Sequence, residues 1–468
     1  MASTQKLAEK TTMNQQKRVV DQLGTVYQLS QKLGQGGQGV VYAVEGGRRA
    51  VKILNKTSQT ERDRLRRQLQ LVQQLDLKGL NIARPLEMLK PPRVGYVMEL
   101  LTDMMPISKL SNYPQNVNCI VEWYLEGGGL KRRLLLLAQC AETLSQLHGK
   151  GLVYSDPSEN NVFVSCDVNH HIIRLIDADN LHYQSNHSTS GVYTPRYGAP
   201  ELVNGKSGVN TLTDAYAFAV IAFQTLSLVH PLIGDLVNEG EPELEQEALE
   251  GQLPWIDHPE DRRNSTQTGF PRKIVLSPQL QELCQRCFGE GLLQPQKRPG
   301  LGQWVEALYS ASDNTLHCPN CQSTYYWNQK ICPWCEHPRP RFVQVLIQRW
   351  HPEANPKRFD EIKNILQVMT LEKDRPLILT RRTLDGRIGM DGHTPELELI
   401  FDGNNIKVKS LSDRCFWLTS EGEGAHQIKV EVKQEWRSFP ANPDKYKSWL
   451  LHFYSLNTAH RLAYFSLA

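Results

Sequence analysis

Hydrophobic and polar positions change period several times along the chain. TVYQLSQKLG reads as a strand that stops at Gly34, Val40 to Val44 (VVYAV) as a second strand, and Arg49 to Leu54 as a third. That third run carries one lysine, Lys52, among apolar neighbours. Glu61 to about Asp76 spaces Leu65, Leu69, Val72 and Leu75 along one side of a predicted helix, with Arg62, Arg64, Arg66 and Arg67 on the solvated remainder. Strands are predicted near Ile82 to Leu89 and at Val94 to Leu101, with Pro91 and Pro92 as punctuation between them. Residues 102 to 129 read as loop-rich, ending in Gly127, Gly128 and Gly129, and 130 to 148 as an amphipathic helix that breaks near Gly149 and Gly151.

Further on, Gly191 to Glu201 is expected to be irregular, because its prolines cannot join a ladder. Asp214 to Leu228 is strongly apolar but too short for a membrane span, which predicts a buried helix. The acidic run from Asn238 to Arg263 is expected over the surface, followed by helices at Leu280 to Phe288 and Leu301 to Ser310. From about residue 340 the pattern becomes many short strands separated by turn residues, as in a β-sandwich or partly closed barrel. Within it Phe342 to Trp350 and Phe359 to Met369 are ambiguous, and the second fits a short helix as well.

At 468 residues the chain exceeds one ordinary core, and 40% hydrophobic with 22% charged residues describes a folded protein. A formal charge of +3 gives no global argument for nucleic acid as a partner. No apolar run reaches the length of a membrane span, and the first twenty residues lack the apolar centre of a signal peptide, so the expected setting is cytoplasmic with no membrane contact.

Four of the ten cysteines form two C-x₂-C hooks, Cys318 with Cys321 and Cys332 with Cys335. Each hook suits a tight turn offering two thiolates to one tetrahedral ion, with a short hairpin expected between them. Structural Zn²⁺ is the expectation and rubredoxin-like iron the competitor. Four thiolates leave no open position for a catalytic water. His317 and His337 are expected to be spare, and Cys284 and Cys287 to belong to a helix core.

The run YSDPSENN (Tyr154 to Asn161) and the later LIDADN place Asp156, Asn161 and Asp177 in an order that suits phosphate transfer. One carboxylate would orient a hydroxyl, while a carboxamide and a second carboxylate are hard oxygen ligands for Mg²⁺. Gly34, Gly36, Gly37 and Gly39 sit where two strands meet, so they suit a lid over phosphates more than the strand-to-helix turn of a dinucleotide fold.

With these residues assembled, the first 310 or so residues resemble the eukaryotic-like Ser/Thr protein kinase catalytic domain. The resemblance implies ATP as substrate and Mg²⁺ as cofactor. Lys52 then matches the phosphate-binding lysine, Met98 the gatekeeper, and Glu99 to Leu101 the adenine-binding hinge. Asp156 matches the catalytic aspartate, and Asn161 and Asp177 the metal ligands. Thr194 and Tyr197 match the segment that receives the peptide, Ala199, Pro200 and Glu201 its closing motif, and Asp214 the aspartate opening the buried helix. Arg298 matches the late arginine that pairs with Glu201.

The chain also departs from that pattern. Tyr154 and Ser155 replace the usual His-Arg, which removes the ordinary partner of a phosphorylated activation loop. Ser158 stands where a lysine is usual, and Asp179 stands where glycine is usual, adding a carboxylate close to the cation. The helix position that should pair with Lys52 falls near Gln68 to Gln70, where there is no glutamate, and Glu61 lies two turns away.

These readings predict a multidomain α+β protein: a flexible tail (1–18), a two-lobed kinase-like domain (19–312, divided at 101/102), a zinc ribbon (313–340) and a β-rich domain (341–468). The expected function is transfer of the ATP γ-phosphate to a protein Ser or Thr hydroxyl. The alternative is a nucleotide-binding pseudokinase scaffold with a zinc-ribbon and β-rich interaction module. Expected partners are a protein substrate and a protein bound by the β-rich domain.

Overall fold

The computed structural model describes residues 18–37, 39–55, 58–116, 119–184, 192–352, 365–421, 428–442 and 448–468. The expected tail up to residue 17 and the 359–364 part of the ambiguous run lie outside them.

Six antiparallel strands form the first lobe: β1 (Arg18–Val20), β2 (Val26–Gln35), β3 (Gly39–Val44), β4 (Arg49–Leu54), β5 (Glu87–Met88) and β6 (Gly95–Glu99), in the order β1-β2-β3-β4-β6-β5. Helix α1 (Gln59–Gln74) lies between β4 and β5 in the chain. Period-two alternation sorts the sheet into two faces. Ala50, Leu54, Tyr96 and Met98 pack with Leu69 of α1, while Val51, Val97, Leu29 and Leu89 form the opposite cluster. Lys52 shares the parity of Ala50 and Leu54, so its side chain is delivered to the α1 side.

The expected strand at Ile82–Leu89 is shorter than its pattern suggested. Pro85 interrupts it, only Glu87–Met88 joins the sheet, and Ile82 instead bridges Leu175 of the second lobe.

The second lobe is built on α2 (Gly129–Gly149), α3 (Thr211–Ser227), α4 (Pro278–Phe288) and α5 (Leu301–Asp313), which share one large core. Helix α3 is buried almost throughout, which is why its apolar residues show no stripe. Asn210 caps its start, accepting from Leu212 and Thr213, while Thr213 Oγ1 accepts from the Asn210 N–H at 2.9 Å. Short strands β7 (Met104–Pro106), β8 (Leu152–Val153), β9 (Val162–Ser165), β10 (Ile173–Leu175) and β11 (His182–Tyr183) carry the loops between the lobes.

Two stretches of this lobe hold more structure than their patterns suggested. Residues 102–129 hold β7 and two short helices, Ser108–Ser111 and Ile120–Glu126, too brief to leave a period. The acidic 238–263 run is not wholly on the surface, since Leu249, Leu253, Trp255 and Ile256 enter the core.

The cysteine module follows as a hairpin, β12 (Thr315–His317) with β13 (Thr324–Tyr326). Its turn is the first hook, so the hairpin surrounds that hook and does not lie between the two. Beyond it two antiparallel sheets face each other across a shared apolar core. The larger has six strands, with Phe342–Trp350 and Ile365–Glu372 paired at one edge. The smaller has four, including Pro395–Phe401 and Asn405–Ser410. Both ambiguous runs are therefore strands where they are described.

This sandwich folds back on the second lobe. Glu142 of α2 accepts from Gly389 N at 2.6 Å and pairs with His393 at 2.8 Å, and Asp313 of α5 pairs with Arg382 at 2.9 Å. Burial pushes the Glu142 carboxyl up, but His393, the Gly389 amide and the Tyr309 hydroxyl bring it below its ordinary value. Among the described residues no helix is long and apolar enough to cross a membrane.

Candidate active site and metal centre

The cleft between the lobes is assembled from three loops. The loop after β8 carries Asp156 and Asn161, and Asp214 at the start of α3 holds it from below. One Asp214 oxygen accepts from Tyr154 N at 2.7 Å and the other from Ser155 N at 3.0 Å. Asp214 is fully buried and meets His148 at 3.1 Å, so its charge is spent on fixing this backbone. Tyr154 extends the brace, its hydroxyl donating to the Ile176 carbonyl just before Asp177. Ser155 Oγ donates to Asn180 O at 3.0 Å. The serine in the usual arginine position thus ties the loop to the segment after Asp177.

Asp156 is oriented from two directions. Its Oδ1 accepts from Thr194 N at 2.7 Å and Thr194 Oγ1 at 2.8 Å, while Oδ2 accepts from Asn161 Nδ2 at 3.1 Å. Burial pushes its carboxyl above the ordinary value, and the nearby Asp177 charge adds to this against the opposing hydrogen bonds. Asn161 Nδ2 also donates to the Asp156 carbonyl at 3.0 Å.

Lys52 meets two carboxylates: Asp177 Oδ1 at 2.9 Å, and Asp179 at 3.1 and 3.2 Å. Burial works against its charge, but Asp179 and then Asp177 more than offset this and raise its pKa. Asp177 adopts a left-handed backbone (φ 56°), and a single 3₁₀ turn, Ala178–Asn180, follows it. That turn carries Asp179 inward, where Tyr96 also donates to its Oδ1 at 3.1 Å. Asp179 therefore faces the lysine, a role its sequence position had not disclosed. Gln68, at the position expected to pair with Lys52, donates to the Leu181 carbonyl at 2.6 Å.

The glycines divide into two kinds. A Cβ on Gly39 would lie 2.4 Å from Ile53 O, so the close approach of β3 to β4 requires glycine there. Gly34, near the end of β2 opposite Val41, and Gly36 and Gly37 at the loop tip all face open space, and Gly36 N bonds Gly39 O at 2.9 Å. Met98 is buried opposite Ala50, Glu99 pairs in register with Arg49 and is exposed, and Leu101 is half-buried where the chain leaves the sheet. Tyr197 is buried, its hydroxyl 3.2 Å from Gln224. Ser158 is buried in the loop. Gly191 lies outside the described residues.

Arg298 and Glu201 form a two-point pair, both bonds 2.7 Å long. This is the pairing the sequence pattern led one to expect.

Among the described residues, Cys318, Cys321, Cys332 and Cys335 place their sulfurs within 4.8 Å of one another. Separations of 3.4 Å (Cys318 to Cys335) and 3.7 Å (Cys321 to Cys332) are far too long for disulfides. A Zn–S bond of about 2.3 Å gives a tetrahedron edge of roughly 3.8 Å, so the donor set fits a tetrahedral thiophilic ion. The hooks are twins: Gln322 and Glu336, each just after the second cysteine, both turn left-handed, at φ 59° and 61°. His317 is bound to Glu372 at 2.8 Å and is thus committed elsewhere. Cys284 and Cys287 are buried in α4 as expected.

Two lobes with a glycine-tipped hairpin above, a buried lysine beneath it and paired acidic loops below define a phosphoryl-transfer fold. The protein kinase domain model matches residues 27–310, more than half of the chain, which therefore belongs to that family. Serine/threonine-protein kinase Pkn1 of Myxococcus xanthus is 31% identical over 214 residues, 43% of this chain and 29% of that protein. Serine/threonine-protein kinase pkn2 of the same organism is 28% identical over 211 residues, 41% and 24% of the two lengths. The chain thus spans less than a third of the length of either relative.

Proposed function

We propose that the protein is a serine/threonine protein kinase that moves the γ-phosphoryl group of ATP to a hydroxyl of a protein substrate. The observation that carries this reading is the meeting of Lys52, Asp156, Asn161 and Asp177 around one cleft in a chain of the kinase family. The Ser/Thr assignment leans on the names of its relatives.

In this reading Asp156, steered by Thr194 and Asn161, aligns the acceptor hydroxyl and accepts its proton as the oxygen attacks phosphorus. Lys52 holds the α- and β-phosphates, and the free-standing glycines at the lid tip let backbone amides close over them. Met98 and Glu99 to Leu101 border the adenine. Asn161, whose Nδ2 is committed to Asp156, has Oδ1 left as a hard donor, and with Asp177 it would hold Mg²⁺. Bound there, magnesium neutralises charge on the phosphates and on the departing oxygen. Ser158 supplies no positive charge near the transferred group, which should cost rate.

The Cys318, Cys321, Cys332 and Cys335 thiolates would hold Zn²⁺ as a structural ion, in keeping with a reducing, cytoplasmic setting. The carboxylate partners of Lys52 and the fixed Asp156 favour an enzyme over a silent scaffold.

The test is transfer of radiolabelled phosphate from ATP with Mg²⁺ to a lysate of candidate substrates, beside the Asp156→Ala form. Transfer should fall by about 10²- to 10⁴-fold in the variant while nucleotide binding persists. Equal transfer by both forms would overturn the assignment.

A further inference from the structure

We propose that Asp179 is the residue that positions Lys52 for the nucleotide phosphates, doing from the loop after Asp177 what no carboxylate of α1 does. The proposal rests on the kinase reading for the purpose of the lysine, and on geometry alone for how the lysine is held.

A lysine delivered to the buried face of a sheet must meet an anion or lose its charge. Helix α1 places Gln68 on the side facing the cleft, and that amide is spent on the Leu181 carbonyl. The acidic residues of α1 serve its exposed first turn. Glu61 bonds the Ser58 cap at 2.8 Å, and Asp63 bonds Gln59 at 2.9 Å. Asp179 fills the gap with both carboxylate oxygens, at 3.1 and 3.2 Å from the lysine nitrogen.

Its own position is over-determined. Tyr96 stands opposite Lys52 in the β4–β6 register and donates to Asp179, so cation, carboxylate and phenol form one buried chain. Ala178, fully buried, is small enough for the tight 3₁₀ turn that brings Asp179 inward.

The two loop carboxylates differ in access. The Asp177 side chain is 30% exposed and that of Asp179 only 3%. Asp177 can turn to a cation at the cleft while Asp179 stays on the lysine. The lysine is then aligned by the same segment that carries the metal ligand, and displacement of α1 does not by itself unpair it.

The experiment uses the full chain as wild type, Asp179→Asn, Asp179→Glu and Gln68→Ala. The readout is the rate at which cyanate carbamylates Lys52 between pH 7 and 9, mapped by mass spectrometry, and it needs no turnover. Removing the carboxylate that holds it should release the Lys52 amine and raise its reactivity by up to about tenfold, the worth of one hydrogen bond to a charged group. Asp179→Glu, which keeps the charge, should lie near wild type, as should Gln68→Ala. In parallel, Asp179→Asn should raise the KM for ATP and lower kcat, with Gln68→Ala within about twofold of wild type. The proposal is overturned if Gln68→Ala matches the effect of Asp179→Asn on Lys52, or if Asp179→Asn leaves that reactivity unchanged. Should Asp179→Asn fail to fold, wild-type-like reactivity in Asp179→Glu and Gln68→Ala supports it and elevated reactivity in either sinks it. A wild type that transfers no phosphate, yet shows the expected Lys52 pattern, would remove the kinase reading and leave the pairing intact.

Discussion

Arg298 with Glu201 and Lys52 with Asp179 are both buried cation–carboxylate pairs, built to different ends. The arginine is saturated: its fork takes both Glu201 oxygens, and its remaining donors go to the carbonyls of Gly291, Leu292 and Leu212. It also lies over the Tyr216 ring at 4.9 Å. Nothing is left over for a ligand. The lysine is a point charge touched by two carboxylates, one of them partly open to the cleft. A planar fork closes a joint, whereas an ammonium can be shared with an incoming phosphate.

Breaking the arginine joint should therefore be a stability event. Glu201→Ala leaves a buried guanidinium without its anion and should cost about 3–5 kcal/mol of unfolding free energy. Denaturant melting checks this, and a loss below about 1 kcal/mol would count against the joint as described. Arg298→Lys sharpens the contrast. It keeps the charge but loses the fork, so about 1.5–3 kcal/mol should go, one charge-assisted bond's worth. An unchanged melting midpoint would mean that geometry does not matter there.

The smallest effect belongs to the cleft, where the observable is a pH profile. Burial already raises the Asp156 carboxyl, and the Thr194 hydroxyl opposes that by bonding its ionised form. Thr194→Val removes this donor, so the carboxylate is less favoured and its pKa climbs further. The acid limb of kcat/KM should move to higher pH by up to about one unit, with the melting midpoint little changed. A limb that stays put or moves down would show that Thr194 does not steer Asp156.

The two pairs also differ in how far the sequence disclosed them. Glu201 and Arg298 could be matched because each sits in a recognisable local run. Asp179 could not, because its partner is 127 residues away and its position is usually occupied by glycine. A signal was present in two departures that compensate: a glutamate missing near Gln68 and a carboxylate gained at 179. Each looked like damage alone, and together they describe one relocated charge. The four-cysteine cluster was legible for the opposite reason, since all four thiols fall within Cys318 to Cys335. Local spacing also concealed things: the helix at Ser108–Ser111 is a single turn, and an acidic run disguised the buried Trp255.

The way the cysteine module is seated has a practical consequence. Trp334 packs tilted against Tyr124 and edge-to-face against Phe270, with ring centroids 5.5 and 5.2 Å apart, Tyr326 donates to Val275 O at 3.0 Å, and Thr324 Oγ1 accepts from Lys131 N at 3.0 Å. A fragment ended at residue 312, one residue short of the end of α5, would strip these aromatic faces and take the Gly389 and His393 partners from Glu142. Whoever wishes to express the kinase-family portion by itself should cut elsewhere, or carry the downstream modules along as part of its wall.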